Sequence, residues 1–253
     1  MYRINVQKEY SKDEILSLIK KFDISGEIVD KGKRNEIKFF AVNGINYNVK
    51  SFKKPFFFNK IIYAIFRKSK AFRSFKFAQI LLKKGINTPH PISSVEKYDM
   101  FGLSHSYYIS QHLSFDFMFR DLVETKDFPD LTNVLLQFTN FCYKMHEEGI
   151  EFLDHSPGNT LIKKCSQGNY DFFLVDLNRM RFHKQMSFDM RMKNLSKLVT
   201  SNEKIIIISQ EYARLYNKSY EETFEKLSFY ISVFNNKHAR KRKIKIFFKK
   251  IIK

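Results

Sequence analysis

One stretch constrains this chain more than any other: Phe152-Leu153-Asp154-His155-Ser156-Pro157-Gly158-Asn159-Thr160-Leu161-Ile162. Pro157 fixes φ and Gly158 frees it, so a turn falls between Asp154 and Asn159. The apolar pair Leu161-Ile162 starts a strand directly afterwards. A short polar hairpin runs from Lys163 to Tyr170, and Phe172 to Val175 forms a second apolar strand that ends in Asp176. The local fold therefore holds two polar side chains at the start of a hairpin and a third at its end. All three carry oxygen donors. Phosphoryl transfer uses such groups: an acidic one near the attacking hydroxyl, then a neutral oxygen and a carboxylate to hold the metal ions.

Asp154, Asn159 and Asp176 have the types, order and spacing of a kinase catalytic loop and metal-binding loop. The fuller text is His146-x-x-Gly149-Ile150-x-x-x-Asp154-His155-Ser156-Pro157-Gly158-Asn159, followed by Val175-Asp176-Leu177-Asn178-Arg179-Met180-Arg181-Phe182. It resembles the bacterial lipopolysaccharide kinases, the Kdo/WaaP family, over roughly residues 25 to 200. The resemblance implies an α+β, two-lobed protein-kinase-like fold with an antiparallel-sheet N-lobe and a mostly helical C-lobe. It also implies ATP-dependent phosphorylation of a Kdo or heptose hydroxyl in the lipopolysaccharide inner core. Asp154 would then be the general base, Asn159 and Asp176 would hold Mg²⁺, and the acceptor would be lipopolysaccharide core or a lipid A precursor. The expected divisions are an N-lobe over 1–113, a C-lobe over 114–234 and a basic amphipathic tail over 235–253.

Upstream, Ser11 is expected to cap a helix with Glu14 completing a capping box. From Gly26 the pattern changes to strands, with Asn43-Gly44 as a hairpin turn between Asn35–Val42 and Ile45–Phe52. The first hairpin loop lacks a GxGxxG, so Lys33 and Arg34 either cradle phosphates or form a solvated basic turn. Lys50, after alternating Ile45, Tyr47 and Val49, matches the strand lysine that meets the α/β-phosphates in the resemblance. Residues 53 to 70 interleave cations with Phe, either as a membrane or nucleic-acid contact or as a helix with its aromatic face buried.

A helix is expected from Ser69 to Gly85, leading into Ile86-Asn87-Thr88-Pro89-His90-Pro91. A kinase lysine normally finds a glutamate on this helix, yet no Glu or Asp occurs between Lys50 and Glu96. The matching position is Lys76, so Lys50 needs another partner, such as Gln79 or a residue elsewhere. Two adjacent cations would repel. Gln111 and Leu113 fall where a hinge would meet adenine, with His112 a surface residue of that hinge. Leu131 to Glu148 reads as an amphipathic helix ending at Gly149. His146 and His155 lack the clustering of zinc ligands and read as packing or hydrogen-bonding residues. Arg179 and Arg181 either meet an anionic sugar or pair with a local carboxylate. Ser219 to Phe234 is the last expected scaffold helix.

Composition limits the partners. The 45 Lys and Arg against 26 Asp and Glu give +19, an excess that favours polyanions such as an anionic membrane surface or a phosphorylated glycolipid, with nucleic acid less favoured. Codon bias toward Lys is expected to supply part of that charge. Two Cys without a CxxC give neither a disulfide framework nor a zinc site, and suit a reducing cytosol. The start lacks an apolar signal-peptide core, and no run reaches the ~20 apolar residues of a spanning helix. A cytoplasmic protein peripheral to the inner membrane face is expected. Its tail, free of acidic residues after Asn235, is either an interfacial helix, a solvated arm or an RNA-binding arm. The alternatives to an inner-core kinase are a pseudokinase, a basic membrane- or RNA-binding module, and a kinase with another acceptor.

Overall fold

The computed structural model describes residues 1–32, 35–52, 68–199 and 201–251. Lys33, Arg34 and the basic aromatic segment 53–67 lie outside the described residues, so the expectations placed on them have no structural counterpart. The architecture is mixed α+β and divides into two compact units: Met1–Ser114 with Phe173–Arg179, and Phe115–Phe172 with Met180–Lys253.

The first unit is built on an antiparallel six-stranded sheet. Its strands are β1 (Tyr2–Val6), β2 (Glu27–Lys31), β3 (Asn35–Val42), β4 (Ile45–Phe52), β5 (Pro91–Asp99) and β6 (Gly102–Gln111), in the order β1-β5-β6-β4-β3-β2. Asn43 and Gly44 adopt φ of 51° and 76°, the two left-handed residues that a tight β3–β4 hairpin requires. Alternation along β4 sends Tyr47 and Val49 into a core with Ile92, Val95, Tyr107 and Ile109, completed by Ile15, Leu18, Ile19 and Phe22 of the first helical segment. Each such fully buried side chain stabilises the fold by ~1.5–3 kcal/mol. Lys50, one residue out of phase, is thereby directed to the opposite face.

Helix α1 (Lys12–Lys21) starts as expected at Ser11, whose Oγ accepts from the Asp13 amide at 3.2 Å. The capping box does not form. Glu14 instead accepts a 2.9 Å hydrogen bond from the Tyr47 hydroxyl, because a buried tyrosine must find an acceptor and β4 brings it there. At the far end, buried Lys38 donates to the Phe22 and Ser25 carbonyls at 2.6 and 3.2 Å, a cation placed at the helix C-terminus. Helix α2 (Lys70–Lys83) is capped by Ser69 and packs on β5 and β6 through Ala71, Phe75, Ala78 and Leu81. It ends in a Schellman motif: Gly85 at φ 69°, with Ile86 N–H donating to Leu81 O and Gly85 N–H to Leu82 O.

The second unit is mostly helical: α3 (Phe119–Glu124), α4 (Leu131–Glu147), α5 (Phe188–Leu195), α6 (Asn202–Tyr216) and α7 (Tyr220–Ile251). Its core joins Phe119, Leu122, Val134, Leu135, Phe138, Cys142, Met192, Ile208, Tyr212 and Leu227. Short strands frame the loops: β7 (Phe117–Met118) pairs with β9 (Thr160–Lys164), and β8 (Ile150–Phe152) with β11 (Met180–Phe182). Strand β10 (Tyr170–Leu174) adjoins β9. The last helix is longer than the expected Ser219–Phe234. It continues through the basic segment, where neither Gly nor Pro interrupts it and Lys, Arg and Ala favour the helix.

Candidate active site

In the first unit Lys50 stands on β4 between Ile37 of β3 and Tyr108 of β6. Its side chain is 12% exposed, and its ammonium lies 2.9 Å from Asp176 Oδ1. It also sits 5.6 Å from the centre of the Phe52 ring. Asp176 follows β10 in a left-handed backbone, φ 59°, a conformation that Asp tolerates better than most side chains. Asn178 Nδ2 donates to the same Oδ1 at 2.7 Å, so one carboxylate oxygen receives two donors. The segment is tied down upstream by Thr88, whose hydroxyl donates to Leu174 O at 2.7 Å, and by the Leu174 amide on Asn87 O at 3.0 Å. Buried Leu177 anchors it downstream.

The sequence left open what takes the place of the helix glutamate. Here the carboxylate meeting Lys50 belongs to Asp176, where Gln79 had been one expectation. Lys76, the position matched to that glutamate, is exposed. The Gln111 and His112 amides are already occupied, donating at 2.8 Å to His90 O and Asn46 O. An adenine contact from Gln111 is therefore left to its carbonyl. His112 is half-buried, edge-on to Phe39 with ring centres 4.9 Å apart.

In the second unit, Gly149 turns the chain out of α4 at φ 71° and into β8. A Cβ there would overlap the His183 carbonyl oxygen, while the His183 amide donates to Gly149 O at 2.8 Å. The loop after β8 is held by side-chain donors to its backbone carbonyls. Asn194 Nδ2 donates to Phe152 O at 2.8 Å, Lys197 Nζ to Leu153 O at 2.7 Å, and Asn159 Nδ2 to Asp154 O at 2.8 Å. Asn194 is itself fixed, its Oδ1 lying 3.2 Å from Nε2 of fully buried His146, whose Nδ1 meets the Tyr212 hydroxyl at 2.9 Å. His155 is also fully buried, stacked on Phe152 with centres 5.4 Å apart. Burial holds both imidazoles down at about 3, so both are neutral packing or hydrogen-bonding groups.

Sequence reasoning overlooked the contributions of Asn178, Asn194 and Lys197. An asparagine inside α5, where Asn is a poor helix former, was the one local signal. Arg181, expected to meet either substrate or a local carboxylate, stands 3.8 Å from Glu151, which His183 Nε2 also meets at 2.9 Å.

The donor types suit magnesium, which takes oxygen ligands and often only one or two carboxylates beside substrate phosphates. Asp176 offers a half-exposed carboxylate. The amide nitrogen of Asn159 is bound to Asp154 O, so its oxygen is the atom that a metal could take. No group of three or more His, Cys, Asp or Glu able to hold a metal occurs among the described residues.

Known proteins bear on this geometry. A sequence model described as the lipopolysaccharide kinase (Kdo/WaaP) family matches residues 25–220. No curated protein sequence matches the chain. Among solved structures, the chain is similar to WaaP in complex with acyl carrier protein, with a TM-score of 0.62 and 15% identity over 94% of this chain and 98% of that one. At that identity the likeness shows the fold, which is kinase-like. With the family match spanning most of the sequence, the chain belongs to the lipopolysaccharide kinase (Kdo/WaaP) family and is a kinase.

Proposed function

We propose that the protein transfers the γ-phosphoryl group of ATP to a hydroxyl of Kdo or heptose in the lipopolysaccharide inner core, at the cytoplasmic face of the membrane. The observation that carries this reading is the 2.9 Å Lys50–Asp176 ion pair, within a chain of this family. Lys50 would meet the α/β-phosphates, and Asp176 and Asn159 would hold magnesium. Magnesium, when bound, would supply positive charge against that of the phosphates. Asp154 would take the proton of the attacking sugar hydroxyl as its oxygen bonds to phosphorus and ADP leaves. Three backbone carbonyls of the loop, at 152, 153 and 154, are fixed by side-chain donors, which supports Asp154 as a positioned base. Lys33, the Gln111 carbonyl and Leu113 are assigned to the nucleotide. Arg179 and Arg181 are assigned to an anionic acceptor, with Glu151 setting the resting place of Arg181.

The membrane part of the reading rests on α7. Its basic extension exposes Ile244 and Ile246. No helix among the described residues is long and apolar enough to cross a membrane. Cations beside an anionic leaflet contribute ~1 kcal/mol each, so peripheral attachment through this helix fits its charge.

The test is transfer of labelled phosphate from ATP, with Mg²⁺, to lipid A bearing Kdo and to a heptose-extended core, the product being located by fragmentation mass spectrometry. Phosphate on either sugar is the expected result. Nucleotide binding without label on either sugar would redirect the activity to another acceptor. Absence of nucleotide binding would make the chain a pseudokinase.

A further inference from the structure

Arg120 lies in the first turn of α3, the end of a helix at which its dipole disfavours a cation. Its backbone is firmly placed. Phe119 beside it is fully buried with its ring centre 4.1 Å from that of Phe138, Leu122 is fully buried, and the Met118 amide is capped by Asp121 at 2.7 Å. The Arg120 side chain is exposed, and no hydrogen bond or ion pair engages it among the described residues. Arg191 and Arg214, by contrast, are tied to carboxylates at 2.5 and 2.7 Å. The guanidinium of Arg120 instead lies on Gly158, between Asp154 and Asn159. A Cβ at Gly158 would overlap Nη2 of Arg120. Gly158 is not among the glycines with left-handed φ, so its backbone does not demand glycine. The space left by the absent side chain is what the guanidinium occupies.

We propose that Arg120 is an acceptor-binding residue that takes an anionic oxygen group of the sugar substrate, a phosphate or a carboxylate, beside the Asp154 loop. A guanidinium with unused donors, lying against Gly158 on a firmly placed backbone, has the geometry for bidentate pairing with either group. The proposal deepens the reading above and rests on Asp154 being the point of transfer.

The experiment compares wild type, Arg120→Ala, Arg120→Lys and Gly158→Ala, with KM measured separately for ATP and for lipid A bearing Kdo. Arg120→Ala is expected to raise the acceptor KM by about tenfold or more, as loss of a charge-assisted contact does, with KM for ATP unchanged. Arg120→Lys should recover part of that loss, and Gly158→Ala should reproduce it by displacing the guanidinium. Dephosphorylating the acceptor distinguishes the sources: an effect that disappears identifies a phosphate, and one that persists identifies a carboxylate. An unchanged acceptor KM, or a rise confined to ATP, would overturn the proposal. Should wild type transfer phosphate to neither sugar, the acceptor reading fails separately. Arg120 is then followed through the side-chain ¹⁵N signal of the full chain during titration with inorganic phosphate, assigned by Arg120→Lys. A saturable shift upholds an anion site, and a flat titration overturns it.

Discussion

Asp176 combines a left-handed backbone, an ammonium at 2.9 Å and an amide donor at 2.7 Å on one oxygen. Replacing Lys50 by Met should leave the fold standing and lower kcat/KM by ~10²-fold or more, the scale on which a positioned charge at a developing anion acts. Steady-state kinetics with circular dichroism as the fold control checks this. His146 and His155 make a separate prediction. Each is held down at about 3 by burial, whereas the unfolded chain titrates at the ordinary value of 6.5. Between those values the unfolded state binds more protons. Stability is therefore complete above the unfolded value and declines as pH falls toward the folded one. Urea midpoints should drop as pH is lowered from neutrality, and His155→Phe should flatten the slope. An unchanged slope in that variant would show that other groups set the acid sensitivity.

Among the elements, β8 and the loop after it depend on two distant supports. Gly149→Ala would place a methyl group on the His183 carbonyl in a backbone that disfavours it, and should destabilise the protein by more than ~1 kcal/mol in chemical denaturation. Asn194→Leu removes the side chain linking His146 to the Phe152 carbonyl. It should take one of two donors from the Phe152 carbonyl, which keeps the His155 amide at 3.1 Å, and strip buried His146 Nε2 of its Asn194 partner, costing ~1–3 kcal/mol and lowering kcat more than KM for ATP. Much of the local structure was legible in the residues. The Asn43-Gly44 hairpin, the outward phase of Lys50, the Gly85 helix end and the Asp154–Asn159 turn each follow from short-range rules. Glu14 was not, because its capping role lost to a tyrosine on another strand. Nor were Asn194 and Arg120, each of which acts on a backbone that only the folded chain brings within reach, or Asn178, whose partner Asp176 is two residues away but is reached only in the turn they form. The helical extension of α7 was one of the readings left open for the tail, since a run of like charges resembles a solvated arm although every residue in it can be helical.

For the molecule as a whole, +19 overall and a basic helix free of acidic residues after Asn235 make surface association a question of ionic strength. Truncation after Phe234 should weaken sedimentation with vesicles containing anionic lipid, and raising salt should weaken wild type in the same direction as the Debye length shortens. Equal sedimentation of the two chains would remove α7 from the membrane contact. Catalysis is the claim to which the rest is attached. Its most direct test runs wild type and Asp154→Asn side by side, with ATP, Mg²⁺ and lipid A bearing Kdo. Label entering the glycolipid with wild type, and falling by ~10²–10⁴-fold in the variant while nucleotide binding persists, is the expected result. Equal transfer by both proteins would contradict Asp154 as the general base.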